Sequence, residues 1–212
     1  MIKAIDLYNS GNLVSKAKIF KHYSERLVSC TQENETIRLD LISSHNYNEV
    51  KNLGLKQMHM GLIVLGIKGM HREGLGVKPF VSLYDSRFTN LEKAILGCME
   101  VDMNNNKKLV YFVPNYLIAI RNFVTEIKLA VKTRGYEMKK WMENLLIHVG
   151  FIGRLSNNNT TNFKMCKKDL ITTLTSKAIK AIPAKQFSSK LNAGLDWKID
   201  TQISHRKSDF GS

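Results

Sequence analysis

The sequence predicts a mostly β protein, an antiparallel sandwich or barrel with a basic helical C-terminal segment. Between residues 57 and 153, short β-rich apolar runs are separated by turn residues, which is typical of strands. The runs recur about every 12 to 18 residues, and no crossover helices are obvious between them, so the strands are expected to be antiparallel. A chain of 212 residues with 43% hydrophobic residues is long and apolar enough to bury a core.

The apolar runs define the candidate strands in chain order. In the weakly patterned first 50 residues, Ile37, Leu39 and Leu41 alternate with polar residues, which is the period of a half-buried strand. Turn residues flank the later runs, as at Pro114-Asn115. The run at 124–131 fits a helix as well as a strand. The further candidate strands are 58–67, 77–84, 94–101, 109–113, 116–120, 124–131 and 145–152.

The chain changes character after Arg154. A loop of asparagines and threonines precedes a lysine-rich stretch with helical spacing, which Pro183 is expected to end. The predicted organisation is an N-terminal extension over residues 1–50, a β core over 51–156, and a basic helical segment with a flexible tail over 157–212. The apolar stripe of the helix consists of Leu170, Ile171, Leu174, Ala178, Ile179 and Ile182.

The positive charge is concentrated in the second half of the chain. The formal net charge is +14, and residues 107–212 hold 19 basic and 7 acidic residues. Such a surplus indicates a polyanionic partner whose phosphates are neutralised by lysine and arginine. Aromatic residues are sparse after residue 160, so charge is expected to dominate over base stacking. The predicted nucleic-acid-binding residues are Lys164, Lys167, Lys168, Lys177, Lys180, Lys185 and Lys190.

Enzyme and metal signatures are missing from the sequence. No Gly-Lys dipeptide is present for a phosphate loop, the third glycine of a dinucleotide fingerprint is replaced by Pro79, and no GxSxG or HExxH occurs. The three cysteines form no CxxC pair, which argues against a disulfide framework or a zinc knuckle and favours a reducing compartment. No signal peptide and no apolar run long enough to span a bilayer is visible. We therefore expect no enzyme activity, no metal and no cofactor.

Two local motifs each have a structural interpretation. Gly66-Ile67-Lys68-Gly69 matches the GxxG loop of KH modules, but the flanking segments look like strands, so an inter-strand turn is favoured. At the end of the run at 77–84, alternation places Asp85 and Arg87 on the face of Val81 and Leu83. A buried lone carboxylate costs several kcal/mol. Asp85 therefore either leaves the core or is satisfied by Arg87, another base or turn N–H groups. We assign Asp85 and Arg87 to holding this strand-to-turn junction.

The ordered motifs resemble a known family, the 30K superfamily of plant-virus movement proteins. Its mark is a Leu-x-Asp-x-Arg motif downstream of an apolar strand, matched here by Leu83, Asp85 and Arg87. The other matching elements, in chain order, are Gly61-Leu62-Ile63, Gly66-Ile67-Lys68, Arg72-Glu73-Gly74-Leu75, Leu96-Gly97 and Val113-Pro114-Asn115-Tyr116. Leu83, Gly97, Pro114 and Asn115 thus occupy signature positions beside Asp85 and Arg87.

The resemblance implies a jelly-roll-like β domain in which Asp85 takes the place of the signature aspartate. It also implies sequence-nonspecific binding of single-stranded viral nucleic acid, with RNA the expected type, and transport of the genome through plasmodesmata. The implied partners are host plasmodesmal proteins and further copies of the chain, and the implied location is the host cytoplasm and the plasmodesmata. The lysine-flanked helix stripe fits peripheral membrane contact or packing against the β domain. A jelly-roll protein that packages nucleic acid, such as a capsid or nucleocapsid protein, fits the same charge and fold.

Overall fold

Two antiparallel sheets face each other across one apolar core. The computed structural model describes residues 18–30, 36–71, 73–133, 142–157 and 181–184. The inner faces of both sheets contribute to a single buried cluster, with Leu65 and Val149 from one sheet and Leu83 and Leu129 from the other. The predicted mostly β architecture is confirmed, and a sandwich replaces the barrel alternative.

The larger sheet has the strand order β1-β9-β3-β6-β10, with β7 beside β3. All its pairs are antiparallel except that β10 runs parallel to β6. Side chains on β3 and β9 alternate between the core and the outer face. The strands are β1 (Lys18–Val28), β3 (Gln57–Gly69), β6 (Lys107–Phe112), β7 (Tyr116–Ala119), β9 (Leu145–Ser156) and β10 (Ala181–Pro183).

The smaller sheet has the strand order β2-β8-β4-β5 and is fully antiparallel. Short helices connect the strands: Ser43 caps α1 by accepting a hydrogen bond from the Asn46 N–H, and Asn90 caps α2 in the same way from Glu92. The strands are β2 (Thr36–Asp40), β4 (Phe80–Asp85), β5 (Ile95–Glu100) and β8 (Ile127–Lys132), and the helices are α1 (Ser44–Asn52), α2 (Leu91–Ala94) and α3 (Ile120–Glu126).

The strand order is that of a jelly roll. With the short strands β7 and β10 set aside, the first, third, sixth and eighth strands along the chain form one sheet, and the second, fourth, fifth and seventh form the other. Eight strands that cross between two sheets in this order make the double Greek key of the jelly roll. The fold implied by the resemblance is therefore seen directly in the strand order.

Three sequence expectations differ from the structure. The sandwich extends beyond the predicted core of residues 51–156, because β1 and β2 of the predicted N-terminal extension are strands of the two sheets. The sequence does not predict β1, because this strand lies at a sheet edge with mostly exposed side chains and has few regularly spaced apolar residues. The ambiguous run at 124–131 is divided between the end of α3 and β8. The Gly66-Ile67-Lys68-Gly69 segment is neither a KH loop nor a turn, since it lies within β3.

The predicted C-terminal helix is wrong at its end. Ile182 and Pro183 lie in β10, opposite Val110 and Tyr111 of β6. A β-branched residue suits a strand, and proline is tolerated at a sheet edge because its missing N–H breaks no inner ladder. The other residues of the predicted stripe, from Leu170 to Ile179, lie outside the described residues.

Candidate functional site

The signature residues Asp85 and Arg87 form an ion pair at the end of β4, in which only the carboxylate is buried. Asp85 is only 1% exposed, and the Arg87 side chain donates to both of its oxygens: Nε lies 2.9 Å from Oδ1 and 3.1 Å from Oδ2, and Nη2 lies 2.6 Å from Oδ2. The backbone N–H of Arg87 also donates to Oδ1, at 3.1 Å. Of the alternatives predicted for Asp85, the carboxylate stays in the core and is satisfied both by Arg87 and by a turn N–H.

The turn after Asp85 is tied to the last residue of α3, Glu126. The backbone N–H of Ser86 donates to the Glu126 carbonyl at 2.9 Å, and the Ser86 hydroxyl donates to its carboxylate at 2.6 Å. The hydrogen bonds to Asp85 raise the pKa of the Arg87 guanidinium, and the negative charges of Asp85 and Glu126 act in the same direction. Arg87 therefore stays charged, and the junction is held by charge-assisted bonds.

Gly97 and Pro114 belong to the same end of the molecule. Gly97 is the direct partner of Leu83 in the β4–β5 ladder, beside a register shift between Leu83 and Tyr84. Gly97, Pro114 and Tyr116 together line a cleft of about 390 Å³. The cleft also contains the oppositely charged Glu92 and Lys93. The structure thus assembles motifs that are far apart in the sequence into one region.

Tyr116 connects the cleft with the ion pair. Its hydroxyl is buried and has no hydrogen-bond partner among the described residues. Burial raises the pKa of this hydroxyl, and the negative charge of Asp85 raises it further, while Arg87 opposes the shift. Tyr116 is therefore a neutral phenol that lies within electrostatic reach of both charges of the junction.

Pro114 and Asn115 break one long strand into β6 and β7. Both strands pair with β3, β6 along residues 63–68 and β7 along residues 57–60. Asn115 takes a left-handed backbone conformation with φ of 53°, and its N–H donates to the Met60 carbonyl at 2.9 Å. Its side-chain Oδ1 lies 3.2 Å from Nε2 of the buried His59. Asn115 tolerates this conformation better than most residues, which explains its place at the break.

The seven lysines predicted to bind nucleic acid all lie outside the described residues. Lys164, Lys167, Lys168, Lys177, Lys180, Lys185 and Lys190 fall between residues 158 and 180 or after residue 184. Their role stays a prediction from the sequence. In the described part of the basic half, Lys107 and Arg121 lie exposed at the surface.

A second concave surface lies on the outer face of the larger sheet, and we call it the glycine groove. Its cavity has a volume of about 420 Å³. Two cross-strand rows run through it: Tyr23, Gly150 and Val64 are partners in one row, and His148, Gly66 and Leu109 in the next. The lining consists of Tyr23, Val64, Gly66, Ile67, Lys68, Lys107, Lys108, Leu109, His148 and Gly150.

Sequence reasoning missed the glycine groove because it depends on the register of four strands. β1, β9, β3 and β6 are neighbours in space but come from residues 18 to 156. A signal was present in the sequence: Gly66 and Gly150 interrupt otherwise apolar strands, and a glycine in a strand marks a close approach by another group. The face that these glycines occupy is decided by the pairing of β3 with β9, which the sequence does not specify.

The described part of the chain contains neither a cluster of metal ligands nor a membrane-spanning helix. No group of three or more histidine, cysteine or acidic side chains there could hold a metal ion. No helix in the described ranges is long and apolar enough to cross a membrane.

Comparison with known proteins identifies the family. The model of the viral movement protein family matches residues 4–174. Polyprotein P3 of Commelina yellow mottle virus is 27% identical over 194 residues, which are 92% of this chain and 10% of the polyprotein. The chain thus spans about a tenth of the length of this relative.

Two solved viral structures are similar to part of this chain. A chain of desmodium yellow mottle tymovirus matches with a TM-score of 0.41 and 9% identity, covering 71% of this chain and 93% of that one. The decameric BFDV capsid protein matches with a TM-score of 0.42 and 8% identity, covering 66% and 99%. The family match over most of the chain, together with the plant-virus relative, confirms the resemblance found in the sequence: the chain belongs to the viral movement protein family.

Proposed function

We propose that this chain binds single-stranded viral nucleic acid without sequence specificity and carries the genome from cell to cell through plasmodesmata. The main support for this proposal is the charge distribution. Residues 107–212 hold 19 basic and 7 acidic residues, and the chain is a member of the movement protein family. Neutralising phosphates with lysine and arginine releases condensed counterions, and this gain does not depend on sequence. The proposed contact residues are the seven lysines from Lys164 to Lys190.

The proposed locations and partners follow from the same function. The chain acts in the host cytoplasm and at plasmodesmata, where it contacts host plasmodesmal proteins and other copies of itself. Peripheral membrane contact by the segment around Leu170 and Ile179 belongs to this proposal, because lysines flank its apolar stripe. No enzyme activity is part of the proposal.

A binding experiment tests the nucleic-acid part. The affinity of the full chain for single-stranded RNA and DNA of several sequences is measured by fluorescence anisotropy as a function of salt. We expect similar affinities for all sequences and a steep loss of affinity with salt. Replacing Lys164, Lys167, Lys168, Lys177 and Lys180 with Glu is expected to weaken binding and flatten the salt dependence. An unchanged affinity and slope would remove this segment from the binding surface.

A movement experiment tests the transport part. The full chain fused to a fluorescent protein is expressed in single cells of leaf epidermis, and we expect puncta at cell-wall pores and spread into neighbouring cells. The five-lysine variant is expected to reach the pores with reduced transport of a co-expressed viral genome. Fluorescence confined to single cells, without puncta, would contradict the proposal.

A packaging function is the second candidate, because jelly rolls with this strand order also build viral capsids. The two functions predict different assemblies. Closed shells with nucleic acid inside, seen by electron microscopy of the purified chain, would favour packaging. Open complexes coating a nucleic-acid strand would favour movement.

A further inference from the structure

We infer that the glycine groove is a stacking site for unpaired bases of a single-stranded nucleic acid, with the phosphates held at its lysine end. The inference rests on the proposed nucleic-acid function and adds a site and a mode of binding to it. It adds to the charge-dominated binding expected of the segment after residue 160, since it assigns part of the affinity to an aromatic side chain of the β sandwich.

Tyr23 provides an aromatic ring that is both exposed and held in place. Its side chain is 63% exposed. The ring stacks on His148, with centroids 5.9 Å apart and planes 27° apart, and the hydroxyl is hydrogen-bonded to His148 Nδ1 and, at 3.3 Å, to Glu25. A ring fixed in advance loses little entropy when a base stacks on it. Aromatic stacking on bases is tolerant of sequence, as nonspecific binding requires.

The glycines give a flat base access to the sheet. Gly150 is the direct cross-strand partner of Tyr23, and Gly66 is the partner of His148. A Cβ on Gly66 would lie 3.3 Å from His148 Cβ, so a side chain there would crowd the imidazole and fill the depression. A Cβ on Gly150 would lie 3.8 Å from Val64 Cβ, which is an ordinary contact. The surface above Gly150 is therefore open, although a small side chain would also fit at this position without a clash.

The other end of the groove carries unbalanced positive charge. Lys68 and Lys107 are direct partners on β3 and β6, and Lys108 also lines the groove. Like charges directly opposite each other destabilise a sheet. In the described part of the chain, no ion pair forms between a carboxylate and any of these three lysines. A bound phosphate would offset this repulsion.

The two ends impose a direction on the ligand. Glu25 lies beside Tyr23, with its Oε2 3.1 Å from His148 Nδ1, so the Tyr23 end contains a carboxylate while the opposite end contains three lysines. Phosphates therefore favour the lysine end. The four strands from β1 to β6 span about 14 Å at ordinary sheet spacing. A single strand several nucleotides long fits this length, with bases on Tyr23 and backbone on the lysines. A duplex does not present the faces of its bases, and an acidic peptide would leave the ring of Tyr23 uncovered.

The test uses the full chain and four variants. Affinities for fluorescein-labelled single-stranded DNA and RNA are measured against salt for Tyr23→Ala, Tyr23→Phe, Gly150→Val and the double variant Lys68→Gln/Lys107→Gln. Ile19→Ala, an exposed residue on the same strand, and Lys51→Gln/Lys78→Gln, an exposed lysine pair elsewhere, are the matched controls. Far-ultraviolet circular dichroism checks that every variant is folded.

We expect Tyr23→Ala and Gly150→Val to bind about tenfold more weakly than the wild type at every salt concentration, with an unchanged salt slope. Tyr23→Phe is expected to keep the affinity, since it keeps the ring. The groove lysine pair is expected to lower the salt slope by about 1.4, because each phosphate contact on a single strand contributes about 0.7. The controls are expected to bind like the wild type.

The outcomes separate this inference from the function on which it rests. A wild-type chain that binds no single strand at any salt concentration would overturn the proposed function. A wild-type chain that binds, with Tyr23→Ala and Gly150→Val binding equally well, would overturn the groove alone. Competition by polyglutamate as strong as competition by unlabelled DNA would also overturn it, because charge would then suffice. If Tyr23→Ala does not fold, Gly150→Val and the lysine pair decide the question.

Discussion

The guanidinium of Arg87 contacts both carboxylate oxygens of Asp85, and the two side chains differ sharply in exposure. The side chain of Asp85 is 2% exposed and that of Arg87 is 38% exposed. The carboxylate is thus fixed inside the sandwich while its partner closes the site from the solvent side. This geometry gives the signature motif a structural task, holding the end of β4 against the turn that follows it.

We expect Asp85→Asn to lower the free energy of unfolding by about 2 kcal/mol, because the charge-assisted bonds to Arg87 are lost inside the protein. Arg87→Lys is not expected to preserve the stability, since an ammonium cannot bond both oxygens in the same plane. Urea denaturation measures both effects. Asp40→Asn is the control. It removes the ion pair between Asp40 and Lys128, in which the Asp40 side chain is 67% exposed. We expect it to lower the free energy of unfolding by less than about 0.5 kcal/mol. Equal losses for Asp85→Asn and Asp40→Asn would refute the structural task.

Asn115→Ala is expected to destabilise the protein by about 1–2 kcal/mol, because the left-handed backbone conformation is unfavourable for alanine. The φ of Asn115 is 53°. Asn115→Gly loses the same contact with His59, but glycine adopts a left-handed conformation without steric strain. The glycine variant is therefore expected to be more stable than the alanine variant. Thermal unfolding of the two variants isolates the backbone contribution. Equal melting temperatures of the two variants would show that the left-handed conformation at residue 115 contributes nothing to the stability of the break between β6 and β7.

Gly153→Ala is expected to cost about 1–3 kcal/mol, as overpacked sites do. A Cβ there would lie 2.8 Å from the His59 carbonyl oxygen and 2.6 Å from Phe151 Cζ. Gly150→Ala on the same strand is the control, because its Cβ finds ordinary contacts at 3.8 Å. Chemical denaturation compares the two. A Gly153→Ala variant as stable as Gly150→Ala would mean that β3 and β9 can separate without cost.

The protein is expected to be less stable at pH 5.5 than at pH 7.5. Burial lowers the pKa of His59, an effect that its bond to Asn115 opposes and the charge of Arg154 reinforces, and burial also lowers the pKa of His22. The unfolded chain therefore binds these protons first as the pH falls through about 6.5. The stabilisation is complete above that pH and is lost progressively towards the lower folded-state pKa.

The variant His59→Gln is expected to reduce the difference in unfolding free energy between the two pH values, with His22 supplying the remainder. His45→Gln, on the exposed surface of α1, is the control and is expected to leave the difference unchanged. Urea denaturation at both pH values provides the measurement. Equal stability of the wild type at pH 5.5 and 7.5 would contradict the role assigned to the buried imidazoles.

All eight candidate strands predicted from the sequence are present, as β2 to β9, with boundaries that shift by a few residues. The central strands β3, β4 and β9 are readable because their buried faces carry nearly continuous apolar residues. The edge strand β1 is not, because only one of its faces packs and its side chains are mostly exposed. β10 is misread because Ile182 fits a helical period as well as a strand, and only pairing with β6 decides between them.

The sequence by itself determined the mostly β character, the basic second half and the motif order that marks the family, because each depends on residue types and their spacing along the chain. The tertiary structure alone decided which distant residues meet. It placed Gly97 beside Leu83 and Tyr116 within reach of Asp85. It also placed Tyr23 in one groove with the opposed Lys68 and Lys107. These relationships depend on strand order and register, and a shift of one residue would turn every side chain of a strand to the opposite face.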